Sequence, residues 1–355
     1  MNAAPPARGG LTPVTVLTGF LGSGKTTLLN QVLRDPRFAD SAVIVNEFGD
    51  IPIDHALVRQ ASENVVVLAG GCICCRVAGD LVNALRDLHF KRAAGEVPAF
   101  RRALIETTGL ADPAPLLATL VEMPLVATRY ALSGVVTTVD GEHGARTLDQ
   151  HAESVKQAAV ADRLVVTKAD RAPAAALDAL EARLRALNPA AAIVRAAMGV
   201  LDAAWLFETG LHRPGARADV TGWLGAGSGA LRPVAGAAGP HDARIRSFTW
   251  TADTPLDWDA LATALETLIE VRGERILRLK GLVNIAGETA PTALHAVQHA
   301  LYPPAKLPEW PDNDHRTRLV FITRDLEESA VTQILDSFNP SPATPRPCSP
   351  PPTKT

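Results

Sequence analysis

The segment Gly19–Thr26 reads GFLGSGKT and gives the first indication of the fold. It fits the phosphate-binding pattern G-x-x-x-x-G-K-[ST], with an apolar, β-branched run before it at Val14–Leu17 and a helical pattern after it at Lys25–Leu33. Glycines let backbone N–H groups converge on phosphate oxygens, and the N-terminus of the following helix adds partial positive charge. A plain Gly-rich turn is the alternative, but the Lys-Thr pair in this context favours a nucleotide-binding loop.

Residues of this loop are the first candidates for nucleotide ligands. We expect the ammonium group of Lys25 to bridge the β- and γ-phosphates and the hydroxyl of Thr26 to ligate Mg²⁺. The other candidates in and beside the loop are Gly19, Gly22, Ser23, Gly24 and Thr27.

Strand and helix patterns alternate over residues 1–209. The strand-like runs are continuously apolar, which is typical of strands that are covered on both faces. They are Val14–Leu17, Ala42–Val45, Val65–Leu68, Ala103–Ile105, Gly134–Val139, Leu164–Val166 and Ile193–Val194. The helical stretches are Lys25–Leu33, Asp80–His89, Ala114–Val121, Arg146–Ala159 and Ala174–Ala186. The alternation predicts an α/β nucleotide-binding domain with a doubly wound, mostly parallel sheet.

A change of composition separates this domain from a second one. Residues 210–242 are rich in Gly, Ala and Pro and predict a linker. Residues 243–338 predict a smaller α+β domain, in which the segment Thr292–Leu301 is compatible with a strand or a helix. The other predicted elements are strands at Arg244–Thr251, Arg275–Asn284 and Leu319–Thr323 and helices at Asp257–Ile269 and Glu327–Phe338. The Pro-rich residues 339–355 predict a disordered tail.

Charge and hydropathy exclude several classes of partner. Lys and Arg number 35 against 38 Asp and Glu, so the chain has no basic excess for nucleic acid or an anionic membrane surface. No apolar run approaches the length of about 20 residues that a membrane-spanning helix needs. The N-terminus lacks the apolar stretch of a secretory signal, so we expect a cytoplasmic protein with no nucleic-acid or membrane partner. The oligomeric state stays open.

The segment after the fourth predicted strand carries a carboxylate and a glycine at the edge where open α/β sheets bind ligands. Glu106 can hold a Mg²⁺-bound water, and the N–H of Gly109 can contact the γ-phosphate. Such a contact would order the following residues only in the triphosphate state. The alternative is a helix cap from Thr108 or Asp112.

A second polar segment, Thr167–Asp170 (TKAD), follows the sixth predicted strand. Asp170 can accept hydrogen bonds from N1 and the exocyclic amine of guanine, a donor pair that adenine lacks. The stem of Lys168 can lie along the base plane. A solvated turn is the usual interpretation of T-K-x-D alone, but its place after the two earlier motifs favours guanine recognition.

Three of the four cysteines crowd into the sequence GGCICC, as Cys72, Cys74 and Cys75. Thiolates bind Zn²⁺ well, and tetrahedral sites take three or four ligands. Buried packing and a redox-active pair are the alternatives, but three thiols beside two glycines favour metal binding.

The fourth ligand is not obvious from the local sequence. Asp50, Glu47 or His55 could supply it, from a segment that follows the second predicted strand where a first switch loop would lie. Metal and nucleotide would then affect the same mobile loops. An incomplete, exposed site suits transfer of a metal better than storage.

Taken together, these motifs resemble the CobW-type GTPases, a family in the same P-loop group as the urease and hydrogenase nickel-insertion proteins. The likeness rests on GFLGSGKTT, VNEFGD, GGCICC, ETTGLADPAP and TKAD, and on ALHAVQHALYPP and RLVFITRDL in the second domain. It implies GTP hydrolysis coupled to delivery of a metal, usually zinc, to a client metalloprotein. Some members handle cobalt in cobalamin synthesis, and Co²⁺ and Ni²⁺ are the alternative metals.

The resemblance assigns roles position by position. It makes Gly19–Thr26 nucleotide ligands, Glu106 and Gly109 the second switch, and Lys168 and Asp170 the readers of the base. It makes Cys72, Cys74 and Cys75 the metal motif, with Asp50 as an acidic ligand. It also makes Thr292–Leu301 a strand rather than a helix.

The chain departs from common GTPase patterns at two positions. Thr167 stands where many GTPases have Asn, which leaves the degree of guanine selectivity open and keeps an ATP-using small-molecule kinase as an alternative. Leu110 follows Gly109 in place of a water-orienting Gln, so we expect slow intrinsic hydrolysis that metal or client accelerates. A metal- or redox-responsive regulator that delivers no metal is the other alternative. His295 and His299 would share a face, where packing is their usual role and metal ligation the alternative.

Overall fold

The computed structural model describes residues 10–46, 66–70, 73–198, 200–207 and 244–338; for residues 46, 66–70, 73–78 and 80 it describes the backbone alone. The predicted linker at residues 210–242 and the predicted tail at residues 339–355 lie outside the described residues. None of the described helices combines the length and the apolar character that a bilayer crossing requires.

Seven parallel strands form the sheet of the first domain. In chain order they are β1 (Thr12–Gly19), β2 (Ser41–Asn46), β3 (Val66–Gly70), β4 (Arg102–Glu106), β5 (Tyr130–Asp140), β6 (Arg163–Thr167) and β7 (Ala192–Arg195). Their order across the sheet is β3-β2-β4-β1-β5-β6-β7, and every neighbouring pair is parallel. Because β1 lies at the centre and the chain moves outward from it in both directions, the predicted doubly wound α/β sheet is confirmed.

Helices cover both faces of this sheet. They are α1 (Lys25–Arg34), α2 (Ile73–Ala94), α3 (Ala114–Glu122), α4 (Pro124–Ala127), α5 (Gly144–Gln150), α6 (Ala152–Ala159), α7 (Ala174–Leu187) and α8 (Ala203–Phe207). Val14 and Val16 of β1 pack in one buried cluster with α2 and α3, whereas Leu17 packs in another with α1. The continuous apolarity of β1 therefore has a physical cause, since both faces of the strand are core.

Two predicted helices have different bounds in the structure. The predicted helix Arg146–Ala159 is two helices, α5 and α6, because His151 between them has extended backbone angles (φ −131°, ψ 111°). The helix predicted at Asp80–His89 begins earlier, at Ile73, and ends at Ala94.

The second domain is an antiparallel sheet with two helices. Its strands are β8 (Ile245–Ala252), β9 (Ile276–Val283), β10 (Thr292–Val297), β11 (Ala300–Leu301), β12 (Ala305–Lys306) and β13 (Thr317–Arg324), in the order β11-β10-β9-β13-β8 with β12 beside β10. Helices α9 (Trp258–Arg272) and α10 (Glu328–Phe338) pack on one face. The segment Thr292–Leu301 is a tight hairpin whose turn residue Gln298 has φ +51°, so the strand interpretation is confirmed.

The other face of this sheet packs against the first domain through charged side chains. Arg278 and Lys280 of β9 are 1% and 2% exposed, and both reach Asp162, which directly precedes β6. Burial alone would raise the pKa of Asp162, but the positive charges of Arg278 and Lys280 hold it well below its usual range. The two domains therefore meet in part across a buried cluster of one carboxylate and two basic side chains.

Candidate nucleotide-binding site

The loop Gly19–Thr26 connects the end of β1 to the start of α1 at the carboxyl edge of the sheet. Gly19 has φ +141°, and a Cβ atom on it would lie 2.3 Å from Oγ1 of Thr138. Only glycine fits this approach of two strands, which explains the first residue of the motif. The loop then turns back so that α1 begins at Lys25, with its N-terminus facing the edge of the sheet.

Lys25 folds back over this loop rather than out into solvent. Its Nζ donates hydrogen bonds to the carbonyl oxygens of Gly19, at 2.9 Å, and Phe20, at 3.1 Å. The side chain is 9% exposed. A positive charge is thus placed at the mouth of the loop, where the phosphates of a nucleotide would carry the opposite charge.

Thr26 and Glu106 come together across the central strands of the sheet. The hydroxyl of Thr26, in the first turn of α1, donates to Oε1 of Glu106 at 2.8 Å, and Glu106 ends the neighbouring strand β4. A hydroxyl and a carboxylate at this separation are the oxygen donors that Mg²⁺ prefers, so the predicted pair fits such an ion.

Hydroxyl groups from two neighbouring strands hold the loop in place. Oγ of Ser23 lies 2.6 Å from Oγ1 of Thr138 at the end of β5, and Oγ1 of Thr167 donates to the carbonyl of Ser23 at 2.7 Å. Thr138 was not among the predicted site residues, although a Thr-Thr pair at the end of a buried strand is a signal for such contacts. Thr167 stands where many GTPases have Asn, and its hydrogen bond to Ser23 attaches the TKAD segment to the loop.

The TKAD segment begins with a left-handed residue, Lys168, at φ +51°. Its Nζ pairs with Oδ2 of Asp140 at 2.6 Å. Burial opposes ionisation of Asp140, but hydrogen bonds from Lys168 and from two backbone amides keep its pKa below the usual range. Asp170 is exposed in the single turn Ala169–Arg171, at the same edge of the sheet.

The segment after Glu106 lies against the Gly19–Thr26 loop. A Cβ atom on Gly109 would lie 2.6 Å from the backbone nitrogen of Leu21, so glycine is required for this approach as well. Asp112 accepts a hydrogen bond from the N–H of Ala114 at 3.1 Å, which confirms the cap that the sequence suggested for α3. The cap and the contact with the loop coexist in one segment.

The predicted metal motif is only partly within the described residues. Cys72 and Asp50, with the alternative ligands Glu47 and His55, lie outside them. The backbones of Cys74 and Cys75 are described and lie in the first turn of α2, ahead of the helix predicted from Asp80.

The two histidines of the second domain lie in different surroundings. His295, on β10, stacks on Tyr302 with ring centroids 4.2 Å apart, beside the buried Asp162 cluster. His299 lies in the turn after β10, next to Gly273. The expectation of a shared face is wrong, because the hairpin turn at Gln298 carries His299 away from the strand.

Two family descriptions match the chain. The one described as "CobW/HypB/UreG, nucleotide-binding domain" matches residues 13–195, and "Cobalamin synthesis protein cobW C-terminal domain" matches residues 245–339. The first covers the seven-stranded parallel sheet and the second the antiparallel sheet.

Similar proteins include two that are described as zinc chaperones. Zinc chaperone YjiA of Escherichia coli (strain K12) is 32% identical over 318 residues, which span 90% of this chain and 96% of that protein. Zinc chaperone CobW of Pseudomonas aeruginosa is 30% identical over 363 residues, with coverage of 91% and 90%. The crystal structure of Zn(II)-bound YjiA GTPase from E. coli is similar with a TM-score of 0.67 and 25% identity, covering 93% of this chain and 99% of that one.

Proposed function

The chain belongs to the CobW/HypB/UreG family of P-loop GTPases, and we propose that it couples GTP hydrolysis to the delivery of zinc to a client metalloprotein. The zinc ligands in this proposal are the thiolates of Cys72, Cys74 and Cys75, with Asp50 as an acidic ligand. The names of the two relatives, both zinc chaperones, support zinc over cobalt or nickel.

The proposed contacts with GTP and Mg²⁺ involve side chains that already lie close together. Lys25 would leave the carbonyls of Gly19 and Phe20 for the β- and γ-phosphates, because phosphate oxygens offer a full negative charge. Thr26 and Glu106 would hold Mg²⁺, which on binding would neutralise charge on the phosphates.

Two further segments complete this site. Gly109 would present its N–H to the γ-phosphate, next to Leu21 of the loop. Lys168 and Asp170 would contact the guanine base, with Thr167 holding their segment to the loop at Ser23. Family membership identifies GTP hydrolysis as the reaction, which disfavours the alternative of an ATP-using small-molecule kinase.

One observation carries the coupling of metal to nucleotide: β2 lies between β3 and β4 in the sheet. β4 ends at Glu106, β2 ends at Asn46 where VNEFGD begins, and β3 leads toward GGCICC. With strands spaced by about 5 Å, the ends of β3 and β4 are about 10 Å apart. In this proposal, a change at the phosphate site reaches the cysteine segment through VNEFGD, which begins at the end of β2, between β3 and β4.

The experiment replaces Cys74 and Cys75 by Ser in the full chain. Zinc stoichiometry is measured by competition with a chromophoric chelator, and GTP affinity with a fluorescent GTP analogue. We expect stoichiometric zinc binding to be lost while GTP affinity changes less than twofold. Cys348→Ser, in the Pro-rich tail, is the matched control and should bind zinc as the parent does. Unchanged zinc occupancy in the double variant would refute the assignment.

The coupling is tested on the same samples without nucleotide, with GDP and with a non-hydrolysable GTP analogue. We expect the zinc dissociation constant to differ between the diphosphate and triphosphate states, and equal values in all three states would contradict delivery. Release to an apo-metalloenzyme on hydrolysis separates a chaperone from a regulator that keeps its metal. Competition between Zn²⁺ and Co²⁺ separates the zinc protein from a cobalt-handling one.

A further inference from the structure

Helix α6 contacts residues 107–112, the Gly109 segment, through a buried amide. Gln157 is fully buried, and its Nε2 donates to the carbonyl oxygens of Gly109, at 3.2 Å, and Ala111, at 3.0 Å. One side chain thus uses both of its N–H groups on two carbonyls of the same short segment. The Gln157 backbone is fixed in turn, because its carbonyl accepts a hydrogen bond from Oγ1 of Thr137 on β5 at 2.7 Å.

The neighbouring residue of α6 contacts the same segment. Lys156 pairs with Oδ2 of Asp112 at 2.7 Å, and both side chains are partly exposed. Since the other oxygen of Asp112 caps α3, this ion pair also links the start of α3 to α6.

The carboxyl end of α6 carries the second domain. The carbonyl of Val160, directly after the helix, accepts a buried hydrogen bond from Arg278 of β9. Ala159, the last residue of α6, packs against Leu277 of β9 and Ile322 of β13. Helix α6 has eight residues. It therefore contacts the Gly109 segment through Lys156 and Gln157, and the antiparallel sheet through its C-terminal end.

We propose that Gln157 is a positioning residue for GTP hydrolysis, which holds the Gly109 segment and links its state to the second domain through α6. This rests on the proposed role of Glu106 and Gly109 as the second switch. Gly109 is confined between the backbone of Leu21 on one side and the amide of Gln157 on the other. A shift of Gly109 toward a γ-phosphate must therefore stretch or carry along the hydrogen bonds from Gln157.

The chemistry of the amide explains why glutamine occupies this buried position. Two carbonyl oxygens need two donors, and the amide of Gln supplies both without a charge. A methionine of similar length fills the same space but leaves both carbonyls without this donor, at a cost typical of unsatisfied buried groups. Glutamate would place a carboxylate against two carbonyl oxygens.

The test compares Gln157→Met with Gln333→Met in the full chain. Gln333 is an exposed residue on α10, away from the nucleotide site, and makes the matched control. GTP turnover is measured without added zinc, so its outcome is independent of metal binding. We expect Q157M to lower kcat about tenfold while KM and GDP affinity change less than twofold, and Q333M to behave as the parent.

A second measurement follows the second domain. Hydrogen exchange of the β9 amides is compared with GDP and with a non-hydrolysable GTP analogue. We expect the triphosphate to change protection in the parent and in Q333M, and this difference to be lost in Q157M. A residue that only stabilises the fold would lower the melting temperature without abolishing that difference.

Lys156→Met is the second variant if Q157M does not fold. It removes the partly exposed ion pair to the same segment, and we expect the same pattern with a smaller loss, about two- to threefold in kcat. The inference is overturned if folded Q157M, or K156M in its place, turns over GTP as the parent does. It is also overturned if β9 exchange in the parent is the same with GDP and the GTP analogue. Neither result bears on zinc binding by the cysteines, which is tested separately with the Cys74 and Cys75 variants.

Discussion

The most exacting prediction concerns Lys280, which is buried at the domain interface. Its Nζ lies 3.4 Å from Oδ1 of Asp162, and Arg278 contacts the same oxygen more closely. Burial lowers the pKa of Lys280 from 10.5 to about 7, and the attraction of Asp162 offsets this only in part. The nearby positive charges of Arg278 and Arg163 act in the same direction as burial.

The sign of the effect on stability follows from proton binding. Between pH 7 and 10.5 the unfolded chain keeps a proton on Lys280 that the folded chain has lost, so stability rises with pH. A drop in pKa of this size corresponds to a gain of about 2 kcal/mol in the free energy of unfolding between pH 7 and pH 9. Lys280→Met removes the group, so this part of the pH dependence should disappear.

The measurement is urea unfolding of the full chain at pH 7 and pH 9, followed by tryptophan fluorescence. Lys306→Met is the matched control, because Lys306 belongs to the same sheet but is 71% exposed and pairs with Glu288 on the surface. The other groups that face Lys280, including His295 and Asp162, are present in parent and variants, so differences between the proteins isolate Lys280. If K280M and the parent gain the same stability between the two pH values, Lys280 is charged in the folded state and its pKa is not lowered by burial.

Two further variants test the nucleotide site. Thr167→Val removes the hydroxyl that donates to the carbonyl of Ser23 at 2.7 Å, so we expect nucleotide affinity to fall about tenfold in a fluorescent-nucleotide titration. Thr167→Ser keeps the hydroxyl and should bind as the parent does. Unchanged affinity in T167V would show that this hydrogen bond does not hold the loop for the nucleotide. Asp140→Asn weakens the partner of Lys168 without a change of shape; we expect lower GTP affinity and a smaller preference for GTP over ATP, whereas Glu142→Gln beside it should leave both as in the parent.

Local patterns in the sequence were sufficient for the parallel sheet. Each of its seven strands overlaps a predicted apolar run, and for central strands such as β1 and β6 the cause is burial on both faces. The approach of Thr26 to Glu106 could also be predicted, since the loop after β1 and the end of the adjacent strand β4 lie at the same edge of the sheet.

Contacts between residues far apart in the chain were not predictable in this way. Gln157 appeared in the sequence as one polar residue in a predicted helix, and nothing local shows that its amide reaches Gly109, 48 residues earlier. The same holds for Asp162 and Arg278, 116 residues apart, whose charges predict exposure unless the partner is known. The break at His151 was missed because helical periodicity continues on both sides of it.

The buried charge cluster gives a physical reason why the second domain can respond to nucleotide. A purely apolar interface tolerates small sliding motions, whereas a buried carboxylate that depends on Arg278 and Lys280 loses much of its stabilisation when these partners shift. Asp162 stands between α6, which holds the Gly109 segment through Gln157, and β6, which ends in TKAD. Both ends of a bound nucleotide would thus be connected to the point at which Arg278 and Lys280 contact the first domain. If α6 or β6 moves when nucleotide binds, the antiparallel sheet must move with it, or the contacts of Asp162 with Arg278 and Lys280 are weakened.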